Sequence, residues 1–203
     1  MKKIPTMFKR EYDDEGYFMG LSDTFTNDHC KYALENGTIT VKIDGSACMI
    51  QDGKLFCRYD ARLNKHGKPK PIPEDAIKCQ PERDPITGHL PCWRPAENDN
   101  MYKWQRVAFD NYVKNGGSIE NGTYEAIGPH FTSNPYNLSE DTLVRHGSKI
   151  IDVTEDQRTV DGIKKLVRNL NEEGIVIWLD NEPVCKLKRV DMNYEWNGST
   201  KKR

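Results

Sequence analysis

No stretch of the chain approaches the ~20 consecutive apolar residues that a membrane-spanning helix needs, so no such helix is expected. The first residues, MKKIPTMFKREYDDEG, are basic at the start but have no apolar centre, and they do not read as a secretory signal. None of the six cysteines (Cys30, Cys48, Cys57, Cys79, Cys92 and Cys185) forms a CxxC pair. Cys79, His89 and Cys92 fit no zinc knuckle, because a fourth ligand is missing and the spacing is wrong. A chain of this size folds without disulfides, so reduced thiols and a cytoplasmic setting are expected. An excess of charge of one sign is also missing. Thirty Lys and Arg face 31 Asp and Glu, a net charge of -1, which excludes a strongly basic, non-specific polyanion binder. Any nucleic acid would have to be held by a local basic site. There is no internal repeat and no low-complexity tract.

What is present is enough for a packed core in one domain. The 203 residues are 36% hydrophobic and include 4 Trp and 9 Tyr, which rules out wholesale disorder. Residues 36–59 read as strands, with β-branched and apolar residues alternating through Thr38, Thr40 and Ile43, then Ala47, Met49 and Leu55. Asp52-Gly53 is a hairpin signal, because glycine takes positive φ cheaply. Residues 64–99 are rich in Pro, Lys and Asp and have little periodicity, which predicts a long surface loop or insertion. Over 101–114, Met101, Trp104, Ala108 and Tyr112 recur at helical spacing, and Asn115-Gly116-Gly117 ends that helix.

Residues 122–128 are a further strand. Val160, Ile163, Val167 and Leu170 form one face of a helix over 159–170. Residues 174–179 and 183–188 are two strands joined by Asp180-Asn181-Glu182, and the chain ends in the polar tail NGSTKKR. Hairpins outnumber βαβ units, so an α+β fold with antiparallel sheets is predicted.

Four short patterns carry the chemistry. Lys42-Ile43-Asp44-Gly45 ends a predicted strand. Glu125 lies within Tyr124-Glu125-Ala126-Ile127-Gly128, and Glu173 opens Glu173-Gly174-Ile175-Val176 at the mouth of an apolar strand. Lys186 and Lys188 alternate, so a strand puts both on one face with Leu187 opposite. Each pattern alone is common, and the plain readings are a turn, a surface carboxylate and a solvated face. Together, lysines and carboxylates converging near one nucleophilic lysine suggest a phosphate site with a metal.

In this order the motifs resemble those of the covalent nucleotidyltransferases, the superfamily of DNA ligases, RNA ligases and mRNA capping enzymes. Those proteins carry KxDG, a glutamate-containing strand, EGxV and KxK in sequence, and here Lys42 and Glu173 stand 131 residues apart. Gly88-His89-Leu90-Pro91-Cys92-Trp93, Asn134-Pro135-Tyr136-Asn137-Leu138 and Arg145-His146-Gly147 are similar to segments of the stand-alone 5′-to-3′ RNA ligases of the animal type. The resemblance spans roughly Thr38 to Trp196. It implies a ligase adenylation-domain fold over 1–203, with two packed, mainly antiparallel sheets, flanking helices, an insertion at 64–99 and no OB-type domain.

The roles follow from the resemblance. Lys42 would attack the α-phosphate of ATP to form lysyl-AMP, and it must be neutral to do so. Lys186 and Lys188 would contact that phosphate, and Gly45 would let the backbone turn tightly by the nucleotide. Asp44 would stand beside the nucleophile. Glu173 would hold Mg²⁺ (or Mn²⁺) through water or orient Lys42. Glu125 would bond the ribose. Arg58 or Arg62 would bind the 5′-phosphate of the substrate or the nucleotide sugar, and either could instead be a solvated arginine. His146 falls where relatives stack a base, or it is an ordinary core or surface histidine. Lys65, Lys68 and Lys70 are candidates for RNA backbone contacts, and Trp93, Trp104 and Tyr136 for base stacking.

The reading is an ATP-dependent RNA ligase, acting as a monomer on RNA with 5′-phosphate and 3′-hydroxyl ends, as in RNA repair. The alternatives are a DNA ligase, a GTP-dependent capping guanylyltransferase, or a non-catalytic nucleotide- or nucleic-acid-binding domain.

Overall fold

The computed structural model describes residues 1–64, 66–85, 87–97 and 99–198. Strands and helices follow in the order Phe8–Tyr12 (β1), Phe18–Phe25 (β2), Asp28–Asn36 (α1), Thr38–Lys42 (β3), Ser46–Gln51 (β4) and Lys54–Asp60 (β5). They continue through Ile77–Lys78 (β6), Pro91–Pro95 (β7), Lys103–Lys114 (α2), Gly122–Ile127 (β8), Thr142–Arg145 (β9), Val160–Asn169 (α3), Gly174–Leu179 (β10) and Glu182–Lys188 (β11). The strands form three antiparallel sheets, so the chain is α+β. No helix among the described residues is long and apolar enough to cross a membrane.

The chain divides into two compact units. One comprises Met1–Lys3 and Gly45–Arg145, the other Ile4–Asp44 and His146–Arg203. Two of the three chain boundaries fall inside motifs singled out above, after Asp44 of KIDG and before His146.

The Gly45–Arg145 unit is a six-stranded sheet in the order β6-β7-β5-β4-β8-β9. One core lies where α2 packs on it, with Cys48, Ile50, Cys57, Tyr102, Ala108 and Tyr124 buried. The β4–β5 turn is Asp52 at φ 50° and Gly53 at φ 75°. Two consecutive positive φ values match the right-handed strand twist, as the Asp-Gly signal predicts. Residues 64–99 are not wholly a loop. They carry β6 and β7, and β7 is an inner strand with Cys92 and Trp93 buried. Prolines bracket β7, which hid it; at strand ends they remove few ladder donors.

Helix α2 follows the 3₁₀ turn Asn100–Tyr102, which Asp99 caps by accepting from the Met101 N–H at 2.9 Å. Its core face keeps Ala108 and Tyr112 of the predicted stripe and loses the other two. Ala108 is buried, with Phe109 and Tyr112 packed beside it, whereas Met101 and Trp104 are exposed. Tyr102, just outside the helix, takes the buried place.

The other unit holds the β1–β2 hairpin and the three-stranded sheet β11-β10-β3. Both edges of that sheet are covered. Lys186 N–H donates to the Pro5 carbonyl at 3.1 Å, and Met7 N–H to the Lys186 carbonyl at 2.8 Å. At the other edge, Val41 N–H donates to Lys149 and Ile151 N–H to Ile39, both at 2.9 Å. Period-2 alternation sends Ile39, Ile175, Ile177, Cys185 and Leu187 into a core with α1 and α3.

Helix α3 presents Ile163 and Val167 to that core, with Val160 and Leu170 packed at its margin, as the spacing predicts. Thr159 caps it by accepting from the Gly162 N–H at 3.1 Å. The β10–β11 turn is tighter than expected. Asp180 and Asn181 take φ 48° and 63°, and Glu182 already belongs to β11.

Candidate active site

The second face of the β11-β10-β3 sheet carries the lysines. Gly174 on β10 is in register with Lys42 on β3 and with Lys188 on β11. Two residues on, Val176 is in register with Thr40 and Lys186. Residues two apart share a face, so Lys42, Lys186 and Lys188 stand together opposite the buried Leu187. A side chain at Gly174 would collide with the Leu187 backbone carbonyl, so glycine is what lets the two lysine strands flank this position.

Glu173, immediately before that glycine, closes the group. It is only 4% exposed. Its Oε2 accepts from Lys42 Nζ at 2.5 Å, and its Oε1 accepts from Lys188 Nζ at 2.5 Å. One buried carboxylate thus spans two ammonium groups, one oxygen each. Asp44 is half-buried nearby, and its carboxyl is pushed above the usual range by burial and by the Glu173 charge. A bond from Trp196 and the charges of Lys42 and Lys188 oppose that rise.

Lys186 is half-buried on β11. Burial, then repulsion by Lys42 and Lys188, bring its amine down to about 8. The folded state therefore carries the cost of a half-buried charge below about pH 8, and that cost disappears as the amine deprotonates. Between about pH 8 and the ordinary lysine value of 10.5, the unfolded chain binds more protons than the folded one, so stability from this group rises with pH. Lys186→Met is expected to raise the unfolding free energy at pH 7 by about 1–2 kcal/mol and to flatten that rise. Denaturant melts of both proteins at pH 7 to 10.5 measure the difference, and parallel curves would refute it.

Three ammonium groups against two carboxylates leave a positive excess on this face, as an anionic phosphate requires. The fit to a protein-bound divalent cation is poorer. Both Glu173 oxygens are committed to lysines, and no cluster of three His, Cys, Asp or Glu with metal-holding geometry occurs among the described residues. Mg²⁺ binds through one or two carboxylates plus substrate phosphates, so a metal here would arrive with the nucleotide.

His146 is half-buried and begins the segment that runs along β3. Its neighbour Gly147 lies against the Trp178 ring, at 3.5 Å for a built Cβ. Trp178 in turn donates Nε1–H to Thr40 Oγ1 at 2.8 Å.

The remaining candidates belong to the Gly45–Arg145 unit. Glu125 is half-buried on β8. Gly45 lies against it, since a Cβ there would fall 3.0 Å from Glu125 Cγ and collide with the Ala126 carbonyl. Arg58 and Arg62 now differ. Arg58 is half-buried on β5, 5.5 Å over the Trp93 ring, and donates to the Met1 carbonyl at 2.5 Å. Arg62 is exposed. Lys68 and Lys70 are exposed as well, with Lys70 4.9 Å over Tyr59, and Lys65 lies outside the described residues.

Of the stacking candidates, Trp93 is core and Tyr136 half-buried. Trp104 is 37% exposed and stacks on His130, whose Nδ1 is 2.7 Å from the buried Asp141. Asn134 closes its own loop, accepting from Leu138 N–H and donating to the Leu138 carbonyl, both at 3.0 Å.

Sequence reasoning missed one residue at the lysine face. Trp196 Nε1 donates to Asp44 Oδ2 at 2.8 Å. The only signal was a tryptophan, two residues after Tyr194, in a mostly polar segment.

No protein-family model matches the chain, and no curated protein does.

Proposed function

We propose that this chain is an ATP-dependent RNA ligase with the nucleotidyltransferase fold, sealing a 5′-phosphate to a 3′-hydroxyl through a covalent lysyl-AMP. The observation that carries the reading is Glu173, which holds Lys42 and Lys188 at 2.5 Å each beside Lys186 on one sheet face. A merely solvated lysine face has no need of a buried carboxylate that ties two strands' ammonium groups together.

In this reading Lys42 Nζ attacks the α-phosphorus of ATP and a P–N bond forms. The bond to the bridging oxygen breaks, and pyrophosphate leaves. Lys42 must first lose its proton and leave its ion pair with Glu173. Lys186 and Lys188 then face the charge that builds on the non-bridging oxygens. AMP passes to the RNA 5′-phosphate. The 3′-hydroxyl attacks that phosphorus, and AMP leaves. Magnesium enters as part of the ATP substrate, and positioning and charge rather than a histidine base carry the chemistry. Glu125, with Gly45 against it, is the ribose-binding candidate, and Arg58 or Arg62 is the candidate for the 5′-phosphate or the nucleotide sugar.

The test is covalent labelling. Protein stripped of bound AMP is incubated with magnesium and α-labelled ATP, with GTP in parallel, and run on a denaturing gel. Label from ATP is expected, and RNA and DNA ends then decide the acceptor. Label from GTP alone would move the reading to capping chemistry. No label from either in folded protein would leave a binding module.

A further inference from the structure

Asp44 is held by a segment distant in sequence. Trp196 is 8% exposed and donates its indole N–H to Asp44 Oδ2 at 2.8 Å. Gly198 is also buried, and a Cβ there would overlap both Asp44 Oδ2 and Trp196 Nε1. The polar edge of the indole is thus aimed at a carboxylate two residues from Lys42, and the chain after it closes down on the contact with no room for a methyl group. A tryptophan serving only to fill space would bury its ring and could give its N–H to any carbonyl. Here the acceptor is the acid of the KIDG segment, in a charge-assisted bond of the stronger class.

We infer that Trp196 is a positioning residue: with Gly198 packed behind it, it fixes the orientation of the Asp44 carboxylate beside Lys42 and so sets the rate of lysine adenylylation. The inference rests on the ligase reading. Asp44 lies in a charged group where Glu173 repels it and Lys42 and Lys188 attract it. The N–H of Trp196 also favours the ionised form, against the burial that raises the Asp44 carboxyl.

The test uses the full chain and three variants. Trp196→Phe keeps the ring and removes the donor. It is expected to lower the single-turnover rate of lysyl-AMP formation by about tenfold, the effect of losing one hydrogen bond to a charged group, while the KM for ATP stays within about twofold. Gly198→Ala, which crowds the same contact, is expected to lower that rate as well. Asp44→Asn provides a readout free of activity. In ¹H–¹⁵N spectra the Trp196 indole resonance is expected to move upfield, while the other three tryptophans stay in place.

An unmoved indole resonance in Asp44→Asn, or a wild-type rate in Trp196→Phe, overturns the inference. So does a Trp196→Phe protein whose rate, KM and melting temperature all change together, since that marks a structural role. Absence of label from the wild type overturns the ligase reading and the positioning role with it, whereas the indole shift would still report the contact.

Discussion

Lys42→Ala protein is expected to fold and to take no label from α-labelled ATP, a loss of at least about 10³-fold, because no other group completes a missing nucleophile. The fold should survive. Lys42 is at the end of β3, partly exposed, and after its removal Glu173 keeps Lys188 as a partner. Lys42→Arg separates charge from chemistry. A guanidinium restores the ion pair with Glu173 but is not deprotonated in proteins, so it cannot attack phosphorus. Both variants should therefore be unlabelled, with the arginine protein the more stable of the two. If Lys42 served only to neutralise Glu173, arginine would restore function.

Lys186 makes this experiment sharper. Its amine is brought down to about 8, and it shares the face with Lys42. Label that survives Lys42→Ala and disappears in Lys186→Met would transfer the nucleophile to β11. Peptide mapping of the wild-type adduct reads the same point directly.

The legibility of this chain varied with the kind of signal. Helix α3 was readable because four apolar residues recur at helical period behind a threonine cap, and both turn signals with positive φ came out as turns. The lysine face was readable because period 2 is rigid geometry: Lys186 and Lys188 must share a side of any strand. What the residues could not tell was which strands would be neighbours. The convergence of Lys42, Glu173 and Lys188 depends on β10 lying between β3 and β11, a pairing across more than a hundred residues.

Other elements were missed for local reasons. Helix α1 has only three buried residues, Cys30, Ala33 and Leu34, among polar ones, and its Asn27 cap is a common residue in loops too. Strand β7 was masked by its prolines. On α2 the expected stripe holds at Ala108 and Tyr112 and fails at Met101 and Trp104, which are exposed, Trp104 stacking on His130. Trp196 could not be assigned at all, since its partner Asp44 lies 152 residues earlier in the chain.

Replacing Glu173 should have the largest effect on stability, with a loss of activity beside it. The carboxylate is buried and its two oxygens each hold an ammonium group. Glu173→Ala leaves three lysines on one sheet face with Asp44 as the acid that remains among them, at an expected cost of about 3–5 kcal/mol, typical of breaking a buried pair from one side. Glu173→Gln keeps the shape but not the charge. Its amide has one acceptor oxygen and an NH2 group with two donors, so it turns N–H groups toward one of the two ammonium groups. Adenylylation should fall on the order of 10²-fold or more in either variant, since Lys42 loses its guide and the phosphate site its geometry. Denaturant melts and the labelling gel measure the two effects separately. The charge argument also predicts a rescue. Three lysines without their carboxylate form a stronger anion site, so inorganic phosphate should raise the melting temperature of Glu173→Ala more than that of the wild type, by mass action on the folded state. A Glu173→Ala protein as stable as the wild type, with phosphate acting equally on both, would mean that the 2.5 Å contacts hold neither the fold nor the lysines in place.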